Sequence, residues 1–262
     1  MLQFQATVTD KDTIAPAWWQ LIITSPDLPV ALNPGQFFLA RCGDRFSCYL
    51  RRPIFPRLVD NHHLSILLRP DPDPGFAWLS ARKSGDVLDL IGPLGSGFDL
   101  PDRAGNLLLV SDRQRITPLL GQMERAIRAG YAVTLALESP RAAALYPVSN
   151  LPPLVEFHAA TRDGLLGHHG SVVDLLPELL QWADLVCATG SPNLFRALRL
   201  QAERSRLELT AGYLYGLLAD TLLACGVGAC FGCMLETKRG LKLTCVDGPV
   251  FDLADLDLAG GT

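Results

Sequence analysis

Apolar and polar positions follow two different rhythms along this chain, and the change comes near residue 105. From Phe4 to about Leu100, short apolar runs are separated by turn residues: Trp18 to Thr24, Phe37 to Arg41, Leu64 to Leu68 and Val87 to Ile91. Runs of that length bounded by Gly and Pro predict strands. The breaks at Pro34-Gly35, Pro70 to Gly75 and Gly92-Pro93 have the spacing of an antiparallel barrel. Within them, Pro70-Asp71-Pro72-Asp73-Pro74 is expected to be a stiff surface loop, since proline fixes φ and lacks an N–H.

After Gly105, apolar strands alternate with longer helical patterns. Asn106 to Ser111, Ala132 to Leu137, Val155 to Ala159, Leu185 to Thr189 and Leu207 to Ala211 predict strands. Thr117-Pro118 predicts a helix start with Thr as N-cap; Leu119, Met123 and Ile127 mark its buried face and Gly130 its end. Ser171-Val172-Val173-Asp174 has the form of a capping box, and Ser191-Pro192 opens a helix running to about Arg204. This alternation predicts a doubly wound α/β domain, whose ligands sit at the carboxyl ends of the strands. The expected fold is therefore mixed β and α/β: an antiparallel β-barrel over 1–101, a nucleotide-binding-like α/β domain over 102–214, and a small module over 215–262. Pro101-Asp102-Arg103-Ala104-Gly105 marks the first boundary, and Tyr213 to Thr221 leads into the last module.

Candidate chemistry concentrates in that module. Four of the seven cysteines lie in Cys225-Gly226-Val227-Gly228-Ala229-Cys230-Phe231-Gly232-Cys233 and at Cys245. Cys-x4-Cys-x2-Cys with a distant fourth Cys is the plant-type [2Fe–2S] spacing, and the glycines permit the φ > 0 turns of a chain wrapped round a cluster. Structural zinc is the alternative, although zinc sites usually present two short knuckles of paired ligands. Cys42, Cys48 and Cys187 lie in apolar segments and read as buried small hydrophobes. His62-His63 and His168-His169 lack a neighbouring ligand at metal spacing and read as surface residues. Trp18, Trp19 and Trp78 read as barrel core.

Composition adds limits. Of 262 residues, 48% are hydrophobic and 19% charged, as in an ordinary globular protein that also buries surface against a partner. A net charge of −4 without a basic stripe gives no nucleic-acid signature. The N-terminus lacks the pattern of a signal peptide, and no eighteen-residue window is uninterruptedly apolar, Asp220 breaking the best candidate, so a cytoplasmic location is expected.

Three motifs together resemble the electron-transfer subunits of dihydroorotate dehydrogenase B, within the ferredoxin-NADP reductase superfamily, over nearly the full length. They are the cysteine segment ending Cys245-Val246-Asp247-Gly248-Pro249-Val250-Phe251, the segment Leu50-Arg51-Arg52-Pro53-Ile54, and the turn Gly92-Pro93-Leu94-Gly95-Ser96-Gly97-Phe98. The resemblance implies a [2Fe–2S] cluster on Cys225, Cys230, Cys233 and Cys245. It also implies FAD between an FR-type barrel and the α/β domain, with Arg52 against the pyrophosphate and Pro53-Ile54 beside the isoalloxazine. Phe55, Leu67, Leu68, Arg69, Gly75 and Phe76 fall where the family contacts the flavin. The implied partner is an FMN-containing dihydroorotate dehydrogenase catalytic subunit, in a heterotetramer of pyrimidine biosynthesis. Other members of the superfamily serve other multi-subunit oxidoreductases, and a flavin-free structural subunit is a third reading.

The chain also departs from the family pattern. Phe55 and Phe76 stand where relatives carry a hydroxyl, each exchange forfeiting a hydrogen bond worth about 0.5–1.5 kcal/mol. NAD is implied too, yet Val110-Ser111-Asp112-Arg113-Gln114-Arg115-Ile116-Thr117-Pro118 has no glycine where a nucleotide phosphate would need close backbone approach. Thr189-Gly190-Ser191 replaces the usual Cys-Gly-Pro. NAD use is therefore doubtful from the sequence, with Arg113 and Arg115 the cations left to hold a phosphate.

Overall fold

The computed structural model describes all residues except 1, 17, 30, 44, 45, 47, 61, 62, 104, 113, 114, 206–208, 220 and 259–262. The N-terminal part is a seven-stranded antiparallel sheet of β1 (Leu2–Ala15), β2 (Trp18–Thr24), β3 (Phe37–Ala40), β4 (Arg52–Ile54), β5 (Arg57–Asp60), β6 (His63–Leu68) and β7 (Val87–Leu94). In β1, Phe4, Ala6 and Val8 are buried while the residues between them are exposed, the two-residue alternation of a strand with one face on a core. Strand order is β4-β3-β7-β1-β2-β6-β5. The two edge strands, β4 and β5, are joined through Phe55-Pro56 alone, so the sheet must curl to bring its own edges together. Phe4, Leu21, Ile23, Phe38, Leu64, Leu88 and Leu90 fill the interior.

The proline run behaves as a loop only as far as Pro72. Asp73 caps a helix missing from the sequence reading, α1 (Pro74–Ser80), and its carboxylate accepts from the N–H of Gly75 at 2.8 Å and of Phe76 at 3.1 Å. Pro74 sits in the first turn, where its missing N–H is harmless.

The second sheet consists of β8 (Asn106–Ser111), β9 (Ala132–Ser139), β10 (Val155–Thr161), β11 (His168–His169), β12 (Leu185–Thr189) and β13 (Leu214–Leu217), all parallel. A hairpin of β14 (Met234–Thr237) and β15 (Gly240–Leu243) follows, and β16 (Val250–Asp252) then adds antiparallel to β13. Sheet order is β11-β10-β9-β8-β12-β13-β16. The helices are α2 (Thr117–Arg128), α3 (Leu176–Trp182) and α4 (Pro192–Ser205).

Three expectations change. The N-cap of α2 is Ile116, with Thr117 already helical and no side chain capping the end. The last parallel strand is Leu214–Leu217, not 207–211: residues 207 and 208 lie outside the described residues, and 209–211 form no strand. The alternating 207–211 run suits a strand with one wet face, whereas a parallel strand covered on both faces needs the continuous apolar run that begins at Tyr213. Trp18 belongs to the core between the two sheets, not to the barrel interior. Its indole N–H reaches the carbonyls of Ala144 and Leu145, both at 3.2 Å, and its ring meets Tyr146 edge-on at 5.4 Å. The expected capping box is present, with Ser171 and Asp174 closing each other's backbone at a short 3-10 turn that leads into α3. Ser191 Oγ likewise accepts from Leu194 N–H at the start of α4.

Because Trp18 is 1% exposed and clamps both sheets, Trp18→Ala is expected to destabilise the chain by about 3–5 kcal/mol. The midpoint of urea unfolding checks this; a shift of a few tenths of a kcal/mol would place the clamp elsewhere.

Candidate functional site

The β14–β15 hairpin explains how a lone cysteine joins the triple. Met234 pairs with Leu243, so the residues just outside the hairpin, Cys233 and Thr244, stand opposite each other. Thr244 donates from both its N–H and its hydroxyl to the Cys233 carbonyl at 3.0 Å, and Cys245 N–H points at the Cys233 sulfur at 3.5 Å. Asp247 fixes the base of the hairpin, accepting from Leu243 N–H at 2.7 Å and from Lys242 at 3.1 Å.

The thiols stand as two pairs, Cys225 with Cys230 and Cys233 with Cys245. Among the described residues no three ligating side chains converge on one point. Two pairs suit a two-iron cluster with two sulfurs per iron better than a single tetrahedral zinc. Burial works against a thiolate at Cys225, but the N–H groups of Val227, Cys230 and Ala229 and the Cys230 thiol outweigh it and bring this thiol down to about 6. Cys245 is pushed up to about 12, by burial first and then by the Cys233 thiol, while Gly228 N–H works the other way. Backbone donors aimed at sulfur are what an anionic iron–sulfur core requires. Gly226 and Gly228 supply the necessary turns at φ of 71° and 76°. Gly226 is also confined in space, since a Cβ there would lie 2.7 Å from Leu94 Cδ1 and 2.9 Å from Leu39 Cδ1.

The loop therefore rests on the barrel wall. Phe37, Leu39, Leu94, Leu223, Cys233 and Cys245 form one buried cluster, with Phe55, Ile91, Cys225 and Leu243 packed against it. Cys230 is exposed, and Leu222, Val227, Phe231, Met234, Leu241 and Val246 present an apolar rim to solvent around the loop.

A cleft of about 280 Å³ opens on the other side of Phe55. Pro53, Ile54, Phe55, Leu67, Leu68, Arg69 and Phe76 line it, as do Ile66, Pro70, Asp71, Arg115, Thr117 and Pro118. Arg52 and Gly75 stand behind this lining. Arg52 binds both oxygens of Asp73, at 2.8 and 3.0 Å, and a Cβ on Gly75 would lie 2.6 Å from its Cγ. Hydrogen bonding to Arg52 holds the Asp73 carboxyl below its usual range. Arg69, part of the cleft lining, stacks 4.9 Å over Trp18, and its Nε is buried without a hydrogen-bond partner. A flat heteroaromatic ring with an anionic arm fits this lining. The α2 contribution, Thr117-Pro118, escaped the sequence reading because it comes from the helix that follows β8 in the other sheet; its signal was its place at the carboxyl end of β8.

Other candidates resolve as structure. Arg51 chelates Asp89, at 3.0 and 2.9 Å, and Cys42, Cys48 and Cys187 are buried. His63 pairs with Asp60, His168 with Asp174, and His169 with the Arg162 carbonyl; His62 and Arg113 lie outside the described residues.

Residues 220–257 match the family model described as the iron-sulfur cluster binding domain of dihydroorotate dehydrogenase B. The "dihydroorotate dehydrogenase B (NAD(+)), electron transfer subunit" of Streptococcus pneumoniae serotype 4 is 30% identical over 254 residues, covering 93% of this chain and 96% of its own. The chain belongs to this family of electron-transfer subunits. The Shouchella clausii subunit of the same name is 27% identical over 98% of both chains. In fold, the chain matches the NADH-dependent reduced ferredoxin-NADP oxidoreductase structure with a TM-score of 0.78, at 24% identity, over 97% of this chain and 90% of that one. It matches a ferredoxin NADP+ reductase from Neisseria gonorrhoeae with a TM-score of 0.67, at 16% identity, over 82% of this chain and 97% of that one. The chain is thus an oxidoreductase subunit with a ferredoxin-reductase fold, and its family's iron–sulfur binding domain falls on the hairpin and loop that carry the cysteines. No described helix is long and apolar enough to cross a membrane.

Gly226→Ala is expected to lower iron content sharply while leaving the chain folded, because a Cβ at positive φ costs about 1–2 kcal/mol and strikes Leu39 and Leu94. Iron analysis beside a circular dichroism spectrum checks it, and iron retained at the wild-type level would refute it. The lowered Asp73 carboxyl makes α1 acid-sensitive. Its stabilisation is complete above the unfolded value near pH 4 and is lost as pH falls through the lower folded value. The protection factors of the Gly75 and Phe76 amides, exchange rates corrected for their intrinsic pH dependence, should fall on that acid limb and stay flat above it.

Proposed function

We propose that this chain relays electrons between an FAD in the cleft beside Phe55 and a partner flavoprotein, by way of a [2Fe–2S] cluster on Cys225, Cys230, Cys233 and Cys245. The partner in this reading is an FMN-containing, dihydroorotate-oxidising catalytic subunit of pyrimidine biosynthesis, in a cytoplasmic heterotetramer. One observation carries the relay. Phe55 lines the cleft and packs on the cluster seat as well, its ring 5.8 Å from Phe37, which touches the group holding Leu39, Leu94, Cys233 and Cys245. Cleft and cysteines are thereby joined through close-packed side chains without intervening solvent.

When bound, the flavin supplies two-electron exchange and the cluster one-electron steps. The chain supplies the rest. Barrel residues 1–101 and the first turn of α2, in the α/β part 102–214, shape the cleft. Arg69 brings its guanidinium charge to an anionic or carbonyl group, and Leu67, Leu68, Pro53 and Ile54 form apolar walls. Arg52 and Gly75 act indirectly, holding α1 and hence Phe76 in place through Asp73. In the module 215–262, the apolar rim from Leu222 to Val246 surrounds the exposed Cys230 and offers the partner a water-excluding contact.

Anaerobically purified chain should show a flavin and iron spectrum with about one flavin per two irons. Dihydroorotate should bleach it only after a dihydroorotate dehydrogenase subunit is added. Flavin-free protein would overturn the relay, and a different co-purifying oxidoreductase would overturn the partner. Phe37→Ala should slow reduction of the cluster by photoreduced flavin without loss of either chromophore, read by stopped-flow spectroscopy; an unchanged rate would remove the Phe55–Phe37 bridge from the path.

A further inference from the structure

The α/β sheet reverses its winding between β8 and β12: β9 and β10 lie on one side of β8, and the chain then returns to place β12 and β13 on the other. In an open parallel sheet a dinucleotide enters the crevice at this reversal, outside the carboxyl ends of the two strands, with its phosphates on a helix N-terminus. Here those ends are tied together. Ser111 pairs with Thr189 in register, and the Thr189 hydroxyl donates to Ser111 Oγ at 3.1 Å, with both residues fully buried. The next residue, Asp112, reaches across the crevice. One carboxylate oxygen accepts from the Ser191 N–H at 2.8 Å and the other from the Ser191 hydroxyl. Ser191 Oγ in turn accepts from Leu194 N–H, so the start of α4 is satisfied by the chain itself.

The space is filled as well as the hydrogen bonds. A Cβ on Gly190 would lie 2.2 Å from Asp112 Oδ1 and 2.9 Å from Leu194 Cδ2. The neighbouring first turn of α2 presents Thr117 and Pro118 to the cleft beside Phe55 and not to Asp112 and Ser191. Arg115 extends away to the Ala219 carbonyl at 2.8 Å. A carboxylate at a helix N-terminus already neutralises the positive end of that dipole and repels a pyrophosphate. The described residues at the reversal, Ser111, Asp112, Thr189, Gly190 and Ser191, therefore do not fit a pyridine nucleotide, although the curated relatives are named for NAD(+).

We infer that Asp112 is a specificity-determining residue that closes the dinucleotide crevice, so that this chain does not take NADH or NADPH as its redox partner. The inference concerns the far end of the relay proposed above, but nucleotide binding is read directly, whether or not flavin is held.

Equilibrium dialysis of the full chain, purified with its bound chromophores, against NADH and NADPH tests it. Wild type should show no saturable binding, and anaerobic NADH should leave any flavin band intact while dithionite bleaches it. Asp112→Ala should gain saturable NADH binding, tighter than wild type by at least about tenfold. Asp112→Asn should gain less than Asp112→Ala, because the repelling charge is gone but its amide oxygen still accepts from the Ser191 N–H and its side chain still fills the crevice. Ser191→Ala, which removes the hydroxyl partner alone, should give a smaller gain and serves if Asp112→Ala fails to fold. Saturable NADH binding by wild type, no gain in Asp112→Ala or Ser191→Ala, or an Asp112→Asn as open as Asp112→Ala would each overturn the assignment. Absence of flavin with the same dialysis pattern would overturn the relay and leave this closure standing.

Discussion

Everything in this structure depends on how the cysteine loop is seated on the barrel wall. Cys225, Cys233 and Cys245 rest on a dry floor of Phe37, Leu39 and Leu94, which leaves Cys230 as the exposed member of the four. Gly226 sits so close to two of those leucines that backbone, not side chain, makes the contact. The junction is fixed from a second direction where Ser96 N–H donates to the Gly248 carbonyl at 2.6 Å, tying the end of the barrel to the end of the cluster segment. The cleft inherits this precision, because Phe55 belongs to both its lining and the floor.

The same economy appears in the barrel. Its edge strands are linked by Phe55-Pro56, so the point of closure is also the point where cleft and cluster approach each other. Arg52, just upstream, is engaged by Asp73, which at the same time caps α1. A single carboxylate thereby couples strand, helix and cleft wall, in a role the sequence alone would hand to a bound phosphate.

What was legible in the sequence was local. The short apolar runs at Trp18 to Thr24 and Leu64 to Leu68 and the capping box at Ser171 each lie within about ten residues, and each appears in the structure. What was illegible depends on distant partners. Asp73 reads as part of a proline-rich loop until Arg52 is seen beside it. Trp18 reads as barrel core until Ala144 and Tyr146 are brought over it. The Asp112–Ser191 bond joins residues 79 positions apart, so the missing glycines could be noted but not what had replaced them. The misplaced strand at 207–211 fails for a related reason: burial on both faces is a property of the sheet's neighbours, not of the five residues themselves.

The cluster segment is an excursion between two adjacent strands of one sheet, leaving after β13 and returning as β16. In synthesis order, β16 emerges only after every cysteine ligand has been made. The outer edge of the α/β sheet is thus completed by the last strand to appear, and its pairing with β13 draws the two ends of the cysteine segment together. The sheet itself, by holding β13 and β16 side by side, prescribes where the cysteine segment must leave and where it must return.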